Sequence, residues 1–286
     1  EDPTAAGFLE WGKDAGYGQQ LQENDSVTEH RQTISGLSPD TLYHTRVKLI
    51  DEKGGVWFSY DLPFKTPAGP VPYAVPALRL KPLSAYGVIS LEWDASPSSV
   101  VVAYRVYRKV KGGTWERLTT DDLDRTTRTY QDVNAPGGII YQYAIEAISG
   151  EAAASLKTYS STVFMPGFIE GVVTLYASDS PILLESDLIV GLQANLTVES
   201  GVEFRVASQD AFHLGQDKER VEILVQGIMR MAGTANNPIR FTTIDSTSGR
   251  GHWAGIILQN GGSGNSEISF VEMSGCSPYA LYADGP

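Results

Sequence analysis

From about residue 168 to its end, the chain alternates short apolar runs with Gly, Asn, Ser and Pro. Each run is rich in Val, Ile, Leu and Phe, and none spaces its apolar residues as a helix would. Many short strands separated by turn residues are typical of an all-β sandwich, barrel or coil. The turns are irregular and often long, which a coil tolerates because each turn of the coil has only to stack on the next. The predicted strands are 188–190, 196–198, 202–206 and 221–225, then 268–271 and 280–282, and between these two groups lie the apolar stretches 236–242 and 252–257.

Alternation within these strands predicts which side chains face the core, since successive side chains of a strand point to opposite faces. Glu199 and Glu203 occupy positions that should face water. The residues predicted to point inward and to stack on equivalents in the next coil are Leu196, Val198, Val202, Phe204 and Val206.

Two stretches carry a family resemblance. Residues 233–242 read Gly-Thr-Ala-Asn-Asn-Pro-Ile-Arg-Phe-Thr, and residues 253–256 read Trp-Ala-Gly-Ile. Both resemble the repeats of right-handed parallel β-helices in secreted bacterial proteins, over about residues 168–286. The resemblance implies a fold of roughly four coils but no function, because adhesins, lyases and surface proteins share it. The pattern is still running at 279–282, so we expect that further residues or another subunit cover that end.

The first 70 residues contain a second motif. Residues 36–47 read Gly-Leu-Ser-Pro-Asp-Thr-Leu-Tyr-His-Thr-Arg-Val. They resemble the segment before the sixth strand of fibronectin type III domains, which implies a tyrosine corner closed by Tyr43. Alternation then places Val47 and Leu49 in the core and Arg46 and Lys48 in water.

Other strands of this first domain are less complete. Residues 8–11 alternate like a half-buried strand, and residues 30–34 are a second candidate. The first strand of such a sandwich should precede Phe8, where only seven residues stand. Two alternatives remain: the strand lies outside the sequence, or a neighbouring chain adds a strand at the open edge.

A second sandwich is predicted after the Pro-rich segment 67–72. Its strands are expected at 88–93, 102–108, 140–147 and 157–164. The third of these motifs, around Tyr141 and Tyr143, resembles the sixth fibronectin type III strand, with either tyrosine as the corner residue.

Candidate binding residues in this sandwich are few. Asp121, Asp122 and Asp124 are close enough in sequence for a weak calcium loop, but no glycine kinks it and Arg125 and Arg128 stand close by, so a solvated loop is preferred. Trp115 and Tyr130 offer aromatic faces for sugar stacking, although packing within the sheet is the more common role.

Candidate catalytic residues are also few. Hydrolysis of a glycosidic bond needs two carboxyl groups about 5–10 Å apart. Asp187, Asp210 and Asp245 fall on different segments with no pairing signature, and Asp245 is the best single candidate. We therefore predict no catalytic residue and no cofactor.

Metal and thiol chemistry are not indicated either. His30, His44, His213 and His252 lack the spacing of zinc ligands. Cys276, the one cysteine, has no local histidine partner and excludes an internal disulfide. We predict no metal-ligating and no cofactor-binding residues.

The formal net charge of −12 argues against nucleic acid and anionic lipid as partners. No apolar run reaches the length of a membrane span. The chain carries no signal peptide and opens on Glu1-Asp2-Pro3, which we interpret as the interior of a longer protein.

The sequence therefore predicts an all-β protein with two fibronectin type III-like β-sandwiches followed by a right-handed parallel β-helix. The predicted domains are 1–69, 70–166 and 167–286. The resemblances imply an exported bacterial protein of the cell surface, matrix or a filament, non-catalytic, whose partners are other copies of itself, other surface proteins or polysaccharide. The alternative is a fragment of a polysaccharide lyase or hydrolase, or a glycan-binding module.

Overall fold

A computed structural model describes residues 6–23, 32–51, 53–66, 69–244, 252–259, 265–278 and 280–283. It divides into two compact units. The first comprises Glu1–Pro72, Ser98–Val102 and Ile148–Ser155, and the second comprises Tyr73–Pro97, Ala103–Ala147 and Leu156–Pro286. Within the described ranges, no helix has the length and apolar character needed to cross a bilayer.

Five antiparallel strands between residues 6 and 66 form a single sheet. They are β1 (Ala6–Gly12), β2 (Gln19–Glu23), β3 (Leu42–Ile50), β4 (Val56–Phe58) and β5 (Phe64–Lys65). β1 lies between β2 and β3, while β4 and β5 follow each other along the far edge of β3. The strand predicted at 8–11 is confirmed as β1. Of the one predicted at 30–34, residues 30 and 31 lie outside the described residues and residues 32–34 form no strand.

The predicted tyrosine corner is confirmed, because the Ser38 amide donates to the Tyr43 hydroxyl at 3.0 Å. The predicted orientation of β3 is wrong: Val47 and Leu49 are 41% and 40% exposed. All strands described between residues 6 and 66 lie in one sheet, so no second sheet from these residues covers that face. On the opposite face, the Arg46 guanidinium lies 4.0 Å from the centroid of the Phe58 ring, which shelters the cation.

The next eight strands form two antiparallel sheets. They are β6 (Leu78–Leu80), β7 (Ile89–Trp93), β8 (Val101–Val110), β9 (Glu116–Arg117), β10 (Leu123–Asp124), β11 (Thr129–Asp132), β12 (Ile139–Ser149) and β13 (Thr158–Met165). One sheet has the order β10-β8-β12-β13, with β9 also on β8, and the other has the order β11-β7-β6. The four strands predicted for this sandwich are confirmed as β7, β8, β12 and β13.

Alternating burial along the strands forms the core of the sandwich. Ile89, Leu91 and Trp93 are buried on one face of β7, and the Trp93 ring meets the Tyr104 ring of the other sheet edge to face at 5.8 Å. Tyr141 is the corner tyrosine, since its hydroxyl donates to the Pro136 carbonyl at 3.0 Å.

The remaining strands form a parallel coil with three faces. The first coil contains β14 (Gly167–Ile169), β15 (Val172–Leu175) and β16 (Ile182–Leu184). The second contains β17 (Leu188–Val190), β18 (Asn195–Glu199) and β19 (Glu203–Val206). The third contains β20 (Glu222–Val225), β21 (Ile228–Ala232) and β22 (Ile239–Thr243). The fourth contains β23 (Gly255–Leu258), β24 (Glu267–Ser269) and β25 (Val271–Met273), and β26 (Leu281–Ala283) follows.

Each face is one parallel sheet that takes one strand from each coil. The three orders are β14-β17-β20-β23-β26, β15-β18-β21-β24 and β16-β19-β22-β25. This arrangement is a parallel β-helix, and the predicted all-β fold class is confirmed. The strand predicted at 268–271 is divided in two, because Phe270 has a positive φ of 48° and turns the chain from one face to the next.

Aliphatic and aromatic ladders fill the interior of the coil. All five predicted inward residues are at most 2% exposed, and Phe204 stacks on Phe241 of the next coil. Glu199 faces water as predicted, and Glu203 is half-buried beside Arg205. The same inward positions recur from coil to coil because the parallel registers align β17 with β20 and β23 without a shift.

Candidate functional site

The hydrophobic core of the coil extends into the edge of the sandwich. The chain passes from β13 through Pro166 directly into β14, so almost no linker separates them. Phe164 of β13 belongs to the core cluster of the coil, and Ile140 of β12 packs against that cluster. Burial of these side chains stabilises the joint between the two, since each buried apolar side chain contributes about 1.5–3 kcal/mol.

An aromatic cluster lies on one side of this joint. The Tyr86 ring, from the sandwich, meets Phe168 of β14 edge to face at 5.7 Å and Phe212 of a long loop at 6.1 Å. Gly167 has a φ of +105°, and a Cβ at this position would overlap the Tyr86 ring. Only glycine therefore allows the first residue of the coil to lie against the sandwich here.

An ion pair lies elsewhere on the joint. Lys111 of the sandwich contacts Asp179 of the coil at 2.5 Å, and the Asp179 side chain is only 6% exposed. The Lys111 ammonium also lies 4.5 Å from the centroid of the Tyr176 ring. These polar contacts help to fix the orientation of the sandwich on the coil, because each restricts rotation about the apolar contact.

Three buried acids lie beside the joint, under the loop between β19 and β20. Asp187 is 0% exposed, Asp210 is 2% and Glu222 is 1%. Asp187 directly precedes β17, and Glu222 begins β20, so the stacking of these two strands brings the two acids together. Backbone amides of Gly215 and Glu222 donate to the Asp187 carboxyl, and those of Gln216 and Asp217 donate to the Glu222 carboxyl.

Asp210 comes from the loop itself and faces Asp187. Its Oδ1 accepts the Ser186 hydroxyl, the Phe212 amide and, at 3.4 Å, the Asp187 amide, while its Oδ2 is buried and no N–H or O–H donor of the described residues reaches it. Burial, followed by the hydrogen bond to Asp210, raises the pKa of Asp187 to about 8. Burial also raises the pKa of Glu222 above its usual range.

A cleft of about 390 Å³ opens next to Asp210. Its wall includes Leu83 from the sandwich, together with Glu185, His213 and Glu219. Burial raises the pKa of Glu185, and a hydrogen bond from the Leu83 amide opposes the shift. The cleft is therefore acidic, and the pKa of Glu185 within it lies above its usual range.

The structure brings together two of the three predicted catalytic candidates. Asp187 and Asp210, which lack any pairing signature in the sequence, form a hydrogen-bonded pair. Asp245 lies outside the described residues. Glu222 and Glu185 were missed, although an acid directly before the apolar residues of each of two stacked strands, Asp187 before Leu188 and Glu222 before Ile223, was a usable signal.

The acidic loop of the sandwich is paired with arginines other than those expected. Arg105 and Arg117 contact Asp122 at 2.7 Å and 2.6 Å. Asp124 instead accepts the Thr126 amide and hydroxyl, which closes a turn. Hydrogen bonds from Thr126, with a smaller effect of the neighbouring Arg125 charge, lower the pKa of Asp124, whereas Asp122 is paired with neither Arg125 nor Arg128. Over the described ranges, no three His, Cys, Asp or Glu side chains are placed to hold a metal ion.

The two aromatic candidates are packing residues. Trp115 is half-buried against the Tyr159 ring at 5.4 Å, with the Lys109 ammonium over it. Tyr130 is half-buried in β11, opposite Leu91 of β7. Both rings are thus engaged in contacts within the sandwich.

The thiol and the described histidines are dispersed. Cys276 forms a parallel bridge with Trp253 and packs on the coil core, and burial raises its pKa, which disfavours the reactive thiolate. His44 contacts Asp61 at 2.8 Å, and His213 contacts the Lys218 carbonyl. His30 lies outside the described residues.

Comparisons with known proteins give only distant likenesses. No protein-family model and no curated protein matches the chain. It is similar to the FN1–FN3 domains of chicken CNTN1, with 15% identity, 56% of this chain and 55% of that chain covered, and a TM-score of 0.32. A two-domain fibronectin type III segment from chicken tenascin gives 16% identity, 56% and 83% coverage and a TM-score of 0.29. Domains A168–A170 from titin give 18% identity, 55% and 53% coverage and a TM-score of 0.31.

Proposed function

We propose that this chain is a non-catalytic structural or adhesive component of a bacterial cell surface, matrix or filament. The observation that supports this best is the continuous core from Phe164 to Ile169, which joins a sandwich to a coil without a flexible linker. A joint of this kind holds two domains at a fixed spacing, as a surface spacer requires.

The proposed partners are other copies of the chain, other surface proteins or polysaccharide. For partners other than copies of the chain, the formal charge of −12 favours surfaces that carry basic patches, because opposite charges speed encounter and select the binding face. Such binding should weaken as salt is added, since exposed charges are screened over about 8 Å at physiological ionic strength.

The test uses the purified full chain in two assays. Light scattering over a wide concentration range measures self-association, and a glycan array with a panel of basic surface proteins measures binding. We expect salt-sensitive association or binding with no chemical change in the bound partner. A strict monomer that binds none of these would contradict the proposal.

A second candidate function is cleavage of a polysaccharide, and one observation favours it. Glu185 lies beside Asp210 and Glu219 in the acidic cleft, where burial raises its pKa, and a glycosidase likewise raises the pKa of the carboxyl group that serves as its general acid beside a second carboxyl. Release of new sugar ends by the wild-type chain, lost in Glu185→Gln and kept in the remote Asp122→Asn control, would establish the enzyme. Equal release by both variants, or none by the wild type, would reject it.

A further inference from the structure

Two carboxyl groups in contact with each other are buried beside the joint. Asp187 and Asp210 are at most 2% exposed, and their side chains hydrogen-bond each other. A hydrogen bond between two carboxyl groups requires a proton on one of them, because carboxylates only accept. Two carboxylates within hydrogen-bond contact in a buried site cannot both stay ionised, because like charges repel strongly where water is excluded.

The hydrogen-bond donors around the two carboxyl groups leave one carboxyl oxygen without a donor. Asp187 accepts the Glu222 amide at 2.8 Å on Oδ1 and the Gly215 amide at 2.5 Å on Oδ2. Asp210 accepts the Ser186 hydroxyl, the Phe212 amide and, at 3.4 Å, the Asp187 amide, all on Oδ1. Asp210 Oδ2 is buried without a donor, which would be costly for an ionised oxygen. Asp210 Oδ2 is therefore the oxygen through which the pair can share one proton.

We propose that the Asp187–Asp210 pair holds one proton at neutral pH, and that the hydrogen bond this proton makes between the two carboxyl groups keeps the loop from Ser208 to Arg220 closed over the joint. The loop then behaves as a latch. Phe212, whose amide is bonded to Asp210, carries the ring that packs against Tyr86 of the sandwich. When the proton leaves to solvent, two charges face each other and the loop opens, which withdraws Phe212 from Tyr86.

Nearby cations do not replace the proton. Lys218 donates to the carbonyls of His213 and Gly215, and Arg220 pairs with Asp217 and the Ser277 carbonyl. The Glu222 carboxyl, with its own raised pKa, adds negative charge beside the pair. The charged and titratable groups that surround the pair are Glu185, His213, Asp217, Lys218, Glu219, Arg220 and Glu222.

The direction of the pH effect follows from proton binding. Asp187 has a pKa of about 8 in the closed loop, and an exposed aspartate has one near 3.9. Between these values the closed loop binds more protons than the open loop, so closure weakens as pH rises. The opening constant should rise up to about tenfold per pH unit across this window and level off above about pH 8.

The test is hydrogen exchange by mass spectrometry on the full chain between pH 6 and 9, expressed as protection factors. Asp210→Asn is the central variant, since its amide oxygen still accepts from Ser186 and Phe212 while its NH₂ replaces the proton toward Asp187. Asp187→Asn is the matched control. Its NH₂ group would face the Gly215 or the Glu222 amide, so that two hydrogen-bond donors would meet with no acceptor between them. Peptides from β18 and β19 serve as the internal reference.

We expect at least a tenfold loss of protection across loop residues 208–220 of the wild type between pH 6 and 9. The Asp210→Asn loop should stay protected at pH 9, and the Asp187→Asn loop should be open throughout. The same pH profile in the wild type and in Asp210→Asn would overturn the proposal. So would wild-type loop protection that calcium raises and a chelator removes, because a cation would then occupy the place of the proton.

Discussion

Phe204 and Phe241 lie one above the other in successive coils, with ring centroids 4.6 Å apart and planes tilted by only 7°. Parallel pairing of β19 with β22 sets this geometry, because it places Phe204 directly opposite Phe241. Trp253 continues the stack at 5.6 Å from Phe241. Phe241 therefore contacts aromatic rings on both sides within the core of the coil.

Phe241→Ala should lower the free energy of unfolding of the coil by about 3–5 kcal/mol, since it leaves a cavity between two rings. Phe270→Ala is the matched control, because that ring is 59% exposed and its loss should change stability by less than about 0.5 kcal/mol. Urea unfolding followed by circular dichroism measures both. Equal effects of the two substitutions would contradict the stacked core.

Gly167→Ala should destabilise the joint by about 1–3 kcal/mol, because the new Cβ overlaps the Tyr86 ring. Gly171→Ala is the control: Gly171 also has a positive φ, +79°, but open space around it, so only the backbone cost of about 1 kcal/mol applies. A double-mutant cycle that combines Gly167→Ala with Tyr86→Ala, followed by thermal unfolding, measures the coupling between the two positions. We expect the double variant to lose less than the two single losses added together.

Arg108→Ala should destabilise the second sandwich by about 3 kcal/mol, because it leaves the buried Asp132 carboxylate without its cation. The contact is 2.9 Å, and the Asp132 side chain is only 4% exposed. Arg79→Ala removes a similar pair with Asp94 that is about half exposed, and it should change stability far less because water and salt screen this pair. Denaturant midpoints of the two variants distinguish these outcomes.

The pKa of Asp122 should lie below that of a free aspartate, chiefly because of its hydrogen bond to Arg105. A depressed pKa means that the pair stabilises the fold above about pH 4, and that this contribution is lost as pH falls through the native value. Carboxyl NMR titration should show the pKa rising toward about 3.9 in Arg105→Gln. Arg125→Gln should leave the pKa of Asp122 unchanged, since Arg125 is not a partner of Asp122. A rise of this pKa in Arg125→Gln would contradict the assignment of Arg105 as the main partner.

Local features of the fold could be read from the chain because their causes lie within a few residues. The tyrosine corner needs only Tyr43 and the Ser38 amide five positions before it. The buried ladder of β18 and β19 needs only alternation, since a strand places every second side chain on the same face. Turn residues between these strands then divide the coil into its faces.

Contacts between distant segments could not be read in the same way. Alternation puts Val47 and Leu49 on one face of β3, but whether this face is buried depends on what packs against it. Asp187 and Asp210 come together because a long loop returns to the coil that precedes it, and no local spacing encodes that return. The partners of Asp122 likewise come from β8 and β9 rather than from the adjacent residues.

The amino-acid sequence by itself determined the all-β class, the stacked coil and the inward residues of its strands, because side-chain periodicity is a local property of the backbone. Only the tertiary structure decided which carboxyl groups meet, which faces stay exposed and how the sandwich is joined to the coil. These depend on burial and on pairing between segments far apart in the chain, where the free energy of a charge or an apolar face is set by its neighbours in space.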